Sequence, residues 1–227
     1  MNTRNEDKPV QIGKNTYWVG SGKLNHGLGC NPYLLLDEDQ AVLFDPGSVL
    51  DFDIVIEKVR SLVDLGKIRT VVLHHQDPDF CSALPLFEEQ GLSADILTHW
   101  RSSLFIQFYG IASQFVPVNE NSYQYTLKSG KVLRFIPTPY LHFPGSIMTY
   151  DPETEILFSS DLFGAYGEAP QLFADPGYME SMLAFHEHYM PSNELLRESM
   201  ERIEGLPISL IAPQHGNLIT ENIPDYI

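Results

Sequence analysis

The sequence has few cysteines, few basic residues and no long apolar run. Its two cysteines, Cys30 and Cys81, are too few for a disulfide framework in a chain of 227 residues. Only 14 basic residues stand against 30 acidic ones, and the net charge of −16 opposes binding to phosphate backbones or anionic lipids. No apolar segment approaches the roughly 18 residues that cross a bilayer. These absences exclude a disulfide scaffold and disfavour nucleic acid and membrane partners.

The sequence also shows no sign of division into domains or of export. It contains no long Pro/Gly/Ser-rich linker, no low-complexity tract and no internal repeat. Nothing at its N-terminus resembles a charged segment followed by an apolar signal core. We therefore expect residues 1–227 to form one cytoplasmic domain, which is compatible with being one part of a longer chain.

Two groups of short strands are predicted, each followed by helices. The predicted helices span Asp51–Leu65, Ser82–Gln90, Arg101–Phe115, Tyr178–Tyr189 and Asn193–Ile203. Two mixed sheets with helices packed outside satisfy this order, so the expected fold class is α+β. His186 and His188 are expected on the solvated face of their helix, because residues at i and i+2 do not face the same way.

Polar residues follow several of the apolar runs, and they are of the types that bind metals. One loop directly after the predicted buried strand Thr70–Leu73 contains His75, Asp77 and Asp79. Similar positions at the ends of other apolar runs hold His142, Asp161 and His215. Burying six such groups together without a cation would be costly, so their convergence predicts a metal site. Three imidazoles with three carboxylates favour iron or manganese, and they also suit zinc.

These residues resemble the metallo-β-lactamase-fold di-iron domain of the flavodiiron protein family, and most of all its single-domain relatives, the oxygen-binding diiron proteins. The family pattern is a His-x-Glu-x-Asp-His loop followed by separate His, Asp and His ligands, and Asp45-Pro46-Gly47 resembles its early Asp-x-Gly turn. The resemblance implies a four-layer αββα sandwich. It also implies two iron ions, the first bound by His75, Asp77 and His142, the second by Asp79 and His215, with Asp161 as the bridge.

The chain departs from the family pattern at two positions of this loop. Asp77 stands where the family usually has Glu, and Phe80 stands where the last His ligand of the loop would be. Because phenylalanine cannot coordinate a metal, the second iron is expected to have fewer protein ligands and an open position that admits O₂ or NO. The competing interpretation is a site that has decayed to hold one metal or none.

Other residues are candidates for hydrogen-bond partners of the ligands or for the walls of a pocket, because metal-bound groups need such partners. These candidates are His26, Cys30 and Asn31 in one loop and Phe80, Tyr140 and Phe143 beside the ligands. Cys81, which adjoins the metal loop, is instead expected to pack inside the helical core.

In flavodiiron enzymes a flavin domain delivers electrons to the metals, and no flavodoxin-type phosphate loop is visible in this sequence. We therefore expect a flavin-free, non-haem di-iron protein that binds O₂ or NO as a gas sensor in signal transduction, with a signalling protein as its partner. Two alternatives stay open: a di-zinc hydrolase, whose loop usually reads His-x-His-x-Asp-His, and an O₂ or NO reductase fed by a separate reductase. Enzymatic activity is thus left unassigned, and the acidic surface is compatible with a homodimer.

Overall fold

Two mixed β-sheets organise the chain in the computed structural model, which describes residues 8–22, 28–166 and 171–227. The first sheet contains, in spatial and chain order, β1 (Val10–Gly13), β2 (Thr16–Trp18), β3 (Tyr33–Asp37), β4 (Gln40–Phe44), β5 (Ile68–Val72), β6 (Asp95–Thr98) and β7 (Phe115–Pro117). The second contains β8 (Gln124–Thr126), β9 (Val132–Pro137), β10 (Ile147–Asp151), β11 (Ile156–Ser160) and β12 (Leu210–Pro213), in the spatial order β12-β11-β10-β9-β8. Strands β4 to β7 pair in parallel and β11 pairs in parallel with β12, whereas the other pairs are antiparallel.

Helices connect many of these strands. They are α1 (Phe52–Leu62), α2 (Pro78–Cys81), α3 (Leu84–Glu89), α4 (Trp100–Ile106), α5 (Tyr178–Tyr189), α6 (Asn193–Ile203) and α7 (Ile223–Tyr226). The predicted bounds of α5 and α6 are confirmed, but the helix predicted over Arg101–Phe115 is too long. It ends as a 3₁₀ turn at Tyr109, Gly110 follows with a φ of 83°, and Phe115 begins β7. Every helix among the described residues is too short or too polar to span a membrane.

Three groups of buried side chains show how the sheets and helices stack. The middle group lies between the two sheets, where the rings of Phe44 in β4 and Phe158 in β11 stack with centroids 4.1 Å apart. A second group joins the outer face of the first sheet to helices such as α1, through Val59. A third joins the outer face of the second sheet to α5 and α6, through Met182 and Ile203. The layers are therefore helix, sheet, sheet and helix, which confirms the predicted αββα sandwich.

The central strands have both faces covered by these layers. Strands β4, β10 and β11 are buried along their whole length. Such strands need no alternating polar face, which explains the consecutive apolar residues Ala41–Phe44 in β4 and Ile156–Phe158 in β11.

The topology brings several strand ends to one edge of the second sheet. Because β10 is antiparallel to both of its neighbours, β9 and β11 run in the same direction, and β12 is parallel to β11. The loops after β9, β11 and β12 therefore emerge together, and these loops contain His142, Asp161 and His215. The loop after β5 reaches the same place from the first sheet, where His74 O accepts a hydrogen bond from Ile147 N at 3.1 Å.

Candidate metal centre

The first cluster of donor atoms consists of His75, Asp77 and His142. Asp77 Oδ2 lies 3.2 Å from His142 Nε2 and 3.5 Å from His75 Nε2. Asp77 immediately precedes α2, whose first residue is Pro78, a residue suited to begin a helix. The ligand atoms of the three side chains lie within 4.8 Å of one another, a spacing at which one metal ion could contact all of them.

The second cluster consists of Asp79, His215 and Cys30. Asp79, in the first turn of α2, places Oδ2 3.1 Å from His215 Nε2. Cys30 Sγ lies 4.0 Å from the same carboxylate oxygen, and the three ligand atoms lie within 4.8 Å of one another. The structure thus brings together the two residues that the sequence predicts here and adds a thiol that the sequence suggests only as a neighbour.

Asp161 lies between the two clusters and contacts both. Its Oδ2 is 3.0 Å from His142 Nε2 and 3.3 Å from His75 Nε2. Its Oδ1 is 3.3 Å from His215 Nε2, on the other side. One carboxylate oxygen therefore faces each cluster, which is the arrangement that a carboxylate bridging two metals requires.

Two atoms of this centre lack ordinary hydrogen-bond partners. Within the described part of the chain, His75 Nε2 and Asp161 Oδ1 are buried and make no hydrogen bond of ordinary geometry, although each lies 3.3 Å from a group of opposite charge. Buried polar atoms are nearly always paired, so two such atoms in one place point to a missing partner. A cation fits that role, and the nitrogen and oxygen donors of the predicted set suit iron, manganese or zinc.

The protonation of the metal-free cluster follows from its charges. Hydrogen bonds to Asp161 and Asp77 raise the pKa of His142 to about 10. Burial alone would raise the pKa of Asp161, but the imidazoles, beginning with His75, outweigh that effect and hold it well below its usual range. For His215, burial alone would lower the pKa, yet Asp161 and Asp79 raise it well above its usual value. Without metal the centre is a set of imidazolium and carboxylate pairs, and a metal would displace the imidazolium protons.

Backbone and hydroxyl groups hold the buried imidazoles in orientation. His215 Nδ1 lies 2.9 Å from Gly29 O, and because a carbonyl can only accept, Nδ1 carries a proton and Nε2 faces the carboxylates. His75 Nδ1 lies 3.3 Å from Ser160 Oγ. Such contacts fix which nitrogen of each ring points at the centre.

His74 lies next to the centre without joining it. Its Nδ1 contacts Asp45 Oδ2, its backbone N–H donates to Asp45 Oδ1 at 2.9 Å, and its Nε2 lies 2.9 Å from Thr149 Oγ1. Asp45 begins the Asp45-Pro46-Gly47 turn, in which Gly47 has a φ of 90° that favours glycine. His74 therefore ties the metal loop to this turn and to β10.

The centre opens to solvent on one side. The side chains of His142, Asp77 and Asp79 are 25%, 29% and 26% exposed. In contrast, His75, Asp161 and His215 are almost completely buried. A small ligand could therefore reach the first three residues from outside, while the last three form the floor.

The aromatic residues predicted as pocket walls lie in different environments. Phe80 is fully buried, with its ring centroid 3.9 Å from that of His75 and 6.0 Å from that of His215. Phe143 packs edge-on against Phe105, and Tyr140 is half exposed. His26, the remaining candidate neighbour, lies outside the described residues.

Two further rings beside the centre come from α5. Tyr189 lies 5.5 Å from His142, and Phe185 lies 5.8 Å from His215, measured between ring centroids. The two aromatic residues are spaced i and i+4 and therefore share one face of the helix. That spacing is visible in the sequence, but which face of α5 turns towards the metal loops depends on tertiary packing.

The prediction that His186 lies on a solvated face is wrong. Its side chain is buried, and Nε2 accepts a hydrogen bond from the backbone N–H of Phe163 at 3.0 Å. Burial lowers the pKa of His186 to about 4, which leaves the ring neutral as an acceptor. His188, by comparison, is exposed. Phe163 lies two residues after Asp161 and has a φ of 64°. Because its N–H is bonded to the buried ring of His186, that ring stabilises the turn that begins at Asp161.

Known proteins are similar to this chain in fold and, at 27–29% identity, in sequence. The nitric oxide reductase of Moorella thermoacetica is 29% identical over 231 residues, which are 92% of this chain and 57% of that protein. The apo state of the chemotaxis sensor ODP from T. denticola is 27% identical with a TM-score of 0.82, covering 96% of this chain and 90% of that one. A structure described as a peroxy diiron species of chemotaxis sensor ODP is also 27% identical, with a TM-score of 0.79, covering 96% and 91%.

This chain covers most of the length of the ODP sensor structures but only part of the curated relatives, and the matching family model is also that of ODP. The chain spans 34% to 58% of the length of the first curated relatives it matches, which include diflavin flavoproteins of Synechocystis. The family model, described as ODP family beta lactamase, matches residues 28–216. Since this match takes in most of the chain, including both donor clusters and Asp161, the chain belongs to the ODP family of the metallo-β-lactamase fold, with flavodiiron proteins as its relatives.

Proposed function

We propose that this chain is a non-haem di-iron protein that binds O₂, or NO, and transmits the binding to a signalling partner. The observation that carries the proposal is the position of Asp161, whose two oxygens lie 3.0 Å from His142 Nε2 and 3.3 Å from His215 Nε2. A pair of reduced irons in the two clusters would supply electrons and open coordination positions for a diatomic gas.

Each donor residue has a defined part in this proposal. His75, Asp77 and His142 hold the first metal, Asp79 and His215 hold the second, and Asp161 bridges them. The hydrogen bond from His215 Nδ1 to Gly29 O keeps Nε2 directed at the second metal. Asp77 immediately precedes α2, and Asp79 is the second residue of that helix. The first turn of α2 therefore sets the distance between the two metal positions.

The surroundings of the clusters favour a small uncharged ligand. Phe80, Phe185 and Tyr189 place aromatic rings beside the metal-facing imidazoles. Apolar walls accept O₂ or NO without loss of hydrogen bonds and disfavour charged molecules, which would lose their hydration there. The partial exposure of Asp77 and His142 provides the side from which the gas enters.

Similarity to a chemotaxis sensor supports the sensing role over turnover. This chain covers 91% of one structure of that sensor but only 57% of the Moorella nitric oxide reductase. We propose accordingly that residues 1–227 form one sensor-like domain, alone or within a longer protein. The homodimer expected from the sequence stays a prediction for analytical ultracentrifugation.

The second candidate function is reduction of O₂ or NO with electrons from a separate reductase. The similarity to the Moorella nitric oxide reductase favours it, because the alignment with that protein takes in 92% of this chain. The two functions differ in one measurable property. A sensor takes up gas until its sites are saturated, whereas a reductase consumes gas continuously when an electron donor is present.

The test is gas binding by anaerobically purified protein loaded with ferrous iron. The optical spectrum is recorded before and after stepwise addition of O₂ and of NO, together with metal analysis. A new visible band that saturates at one gas molecule per iron pair supports the proposal, and Asp161→Asn should abolish it with little change in side-chain volume.

Other results would replace the proposal. Continuous gas consumption with NADH and a flavoprotein reductase would assign the reductase function instead. The chain would instead be assigned as a di-zinc hydrolase if the purified protein held zinc in place of iron, showed a featureless spectrum and hydrolysed generic esters.

A further inference from the structure

We propose that Cys30 binds the second metal, so that its thiolate is a fourth protein ligand beside Asp79, His215 and Asp161. The inference rests on the proposed di-metal function and adds a ligand to it. The Sγ atom lies 4.0 Å from Asp79 Oδ2, and the ligand atoms of Cys30, Asp79 and His215 lie within 4.8 Å of one another. Donor atoms that share one metal with bonds of about 2.0–2.3 Å are roughly 3.3–3.7 Å apart at tetrahedral angles, so the three atoms draw together on binding, and expansion to five ligands leaves a position for a gas molecule.

A buried oxygen of Asp161 is a separate indication of a metal at the cluster of Cys30, Asp79 and His215. Asp161 Oδ1 belongs to a side chain that is 3% exposed, and it has no hydrogen-bond partner among the residues that the structure describes. It lies 3.3 Å from His215 Nε2, on the side of the Cys30 cluster. In the metal-free centre this oxygen faces only the imidazolium of His215, without a hydrogen bond of ordinary geometry, and a metal held by Cys30, Asp79 and His215 would bind it directly.

Hydrogen bonds on both sides of Cys30 hold it against the loop of His215. The carbonyl of Gly29 accepts from His215 Nδ1 at 2.9 Å, and the N–H of Asn31 donates to Gln214 O at 2.8 Å. The side chain of Asn31 donates to Pro213 O and Gly216 O, both at 3.0 Å. Residues 29 and 31 are thus fixed to residues 213–216, and Cys30 between them is held beside the imidazole before any metal binds.

Phe80 leaves the second position one donor short, and the thiol of Cys30 would supply that donor. Phe80 stands where the flavodiiron pattern has a histidine, and its buried ring provides no donor atom, so among the described residues the second position would otherwise have Asp79, His215 and Asp161 alone. With Cys30 both positions have four protein donors. Binding replaces the S–H bond by a sulfur–metal bond, and the proton leaves to solvent. A thiolate also shifts the preference of this position towards softer metals such as iron and zinc and away from manganese.

The two cysteines of the chain allow a matched test. Cys81 is fully buried and its Sγ donates to His75 O at 3.2 Å, so Cys81→Ser removes a nearby sulfur that the inference leaves unligated. The full chain and both serine variants are loaded with zinc, a redox-inactive probe, and measured by X-ray absorption at the zinc edge. We expect a sulfur scatterer at about 2.3 Å in the wild type and in Cys81→Ser, and its loss in Cys30→Ser.

The outcomes separate this inference from the proposed function. Zinc in both positions with nitrogen and oxygen scatterers alone would overturn the role of Cys30 and leave the di-metal centre standing. A sulfur shell that disappears in Cys81→Ser would also overturn it. Failure of the wild type to bind zinc or iron would overturn the centre and the ligand together. If Cys30→Ser does not fold, a sulfur shell retained by Cys81→Ser still identifies Cys30, because the chain has no third cysteine.

Discussion

The ring of Phe80 lies against the ring of His75, with centroids 3.9 Å apart and planes inclined by 64°. The same ring lies 6.0 Å from His215, so Phe80 touches one histidine of each cluster. We predict that Phe80→His strengthens binding of the second metal by about tenfold or more, because it adds a donor worth at least about 1.4 kcal/mol. Titration of the iron-loaded or zinc-loaded protein with a competing chelator measures this affinity.

The same substitution should weaken the metal-free fold. Phe80 is fully buried, and replacing it by an imidazole removes packing and buries a polar ring, at a cost of about 2–4 kcal/mol. Phe80→Leu is the matched control, since it loses packing without adding a donor. Equal metal affinities in the two variants would show that Phe80 does not face the second position.

Asp161 should be needed for both metals, unlike the other ligands. Asp161→Asn replaces an oxygen that faces one of the two clusters by a nitrogen that cannot bind, and it removes the bridging charge. We expect this variant to lose both metals, whereas Asp79→Asn should lose the second and retain the first. Metal analysis after desalting measures the difference, and equal losses in the two variants would argue against a bridge.

Metal removal should destabilise the protein. A metal at 1,000 times its dissociation constant stabilises the fold by about 4 kcal/mol, and for a chain of this length this corresponds to a rise in Tm of roughly 8–16 °C. Calorimetry with and without a chelator measures this shift. In Asp161→Asn the chelator should have little effect, and a shift as large as in the wild type would place the stabilising metal elsewhere.

His186 should make the metal-free protein sensitive to acid. Its pKa is about 4 in the fold, against 6.5 for an unperturbed histidine, so the unfolded chain binds the extra proton between these values. The contribution of His186 is present above pH 6.5 and is lost as the pH falls towards 4. Between pH 7 and 5 this loss amounts to about 2 kcal/mol.

Denaturant unfolding of chelated protein at the two pH values measures this sensitivity. His186→Gln keeps an acceptor for the N–H of Phe163 and removes the titration, so its stability should fall less. His188→Gln, two residues along and exposed, should behave as the wild type does. A wild-type response in His186→Gln would assign the acid sensitivity to other groups.

The sequence predicts the layers of this fold and the residues that meet at the centre for one physical reason. Strands that are buried on both faces tend to be near-continuous apolar runs. The point where such a run ends, and the polar residues that follow it, can therefore be recognised in the sequence. Asp161 and His215 follow two such strands that are parallel neighbours, and the structure places them 3.3 Å apart. The resemblance to the flavodiiron pattern supplied the pairing of residues into two clusters, which strand ends alone do not give.

Features that depend on short-range backbone geometry or on contacts between distant segments escaped prediction. The apolar spacing of Arg101–Phe115 fits a helix, yet Gly110 takes a left-handed conformation and the chain continues as β7. Helix α2 has four residues, too few for a periodic pattern. The burial of His186 and the approach of Cys30 to His215 depend on which helix face and which loop pack against the centre, and residue types do not encode that choice locally.

The hydrogen bonds from Asn31 to Pro213 and Gly216 also determine when the centre can form during synthesis. They join residues 182 and 185 positions apart, and the second cluster likewise needs both Cys30 and His215. A nascent chain on the ribosome contains the residues of the first cluster long before it contains His215. The second cluster can therefore assemble only after translation has passed Gly216 and the two distant loops have met, whereas the first cluster does not wait for either loop.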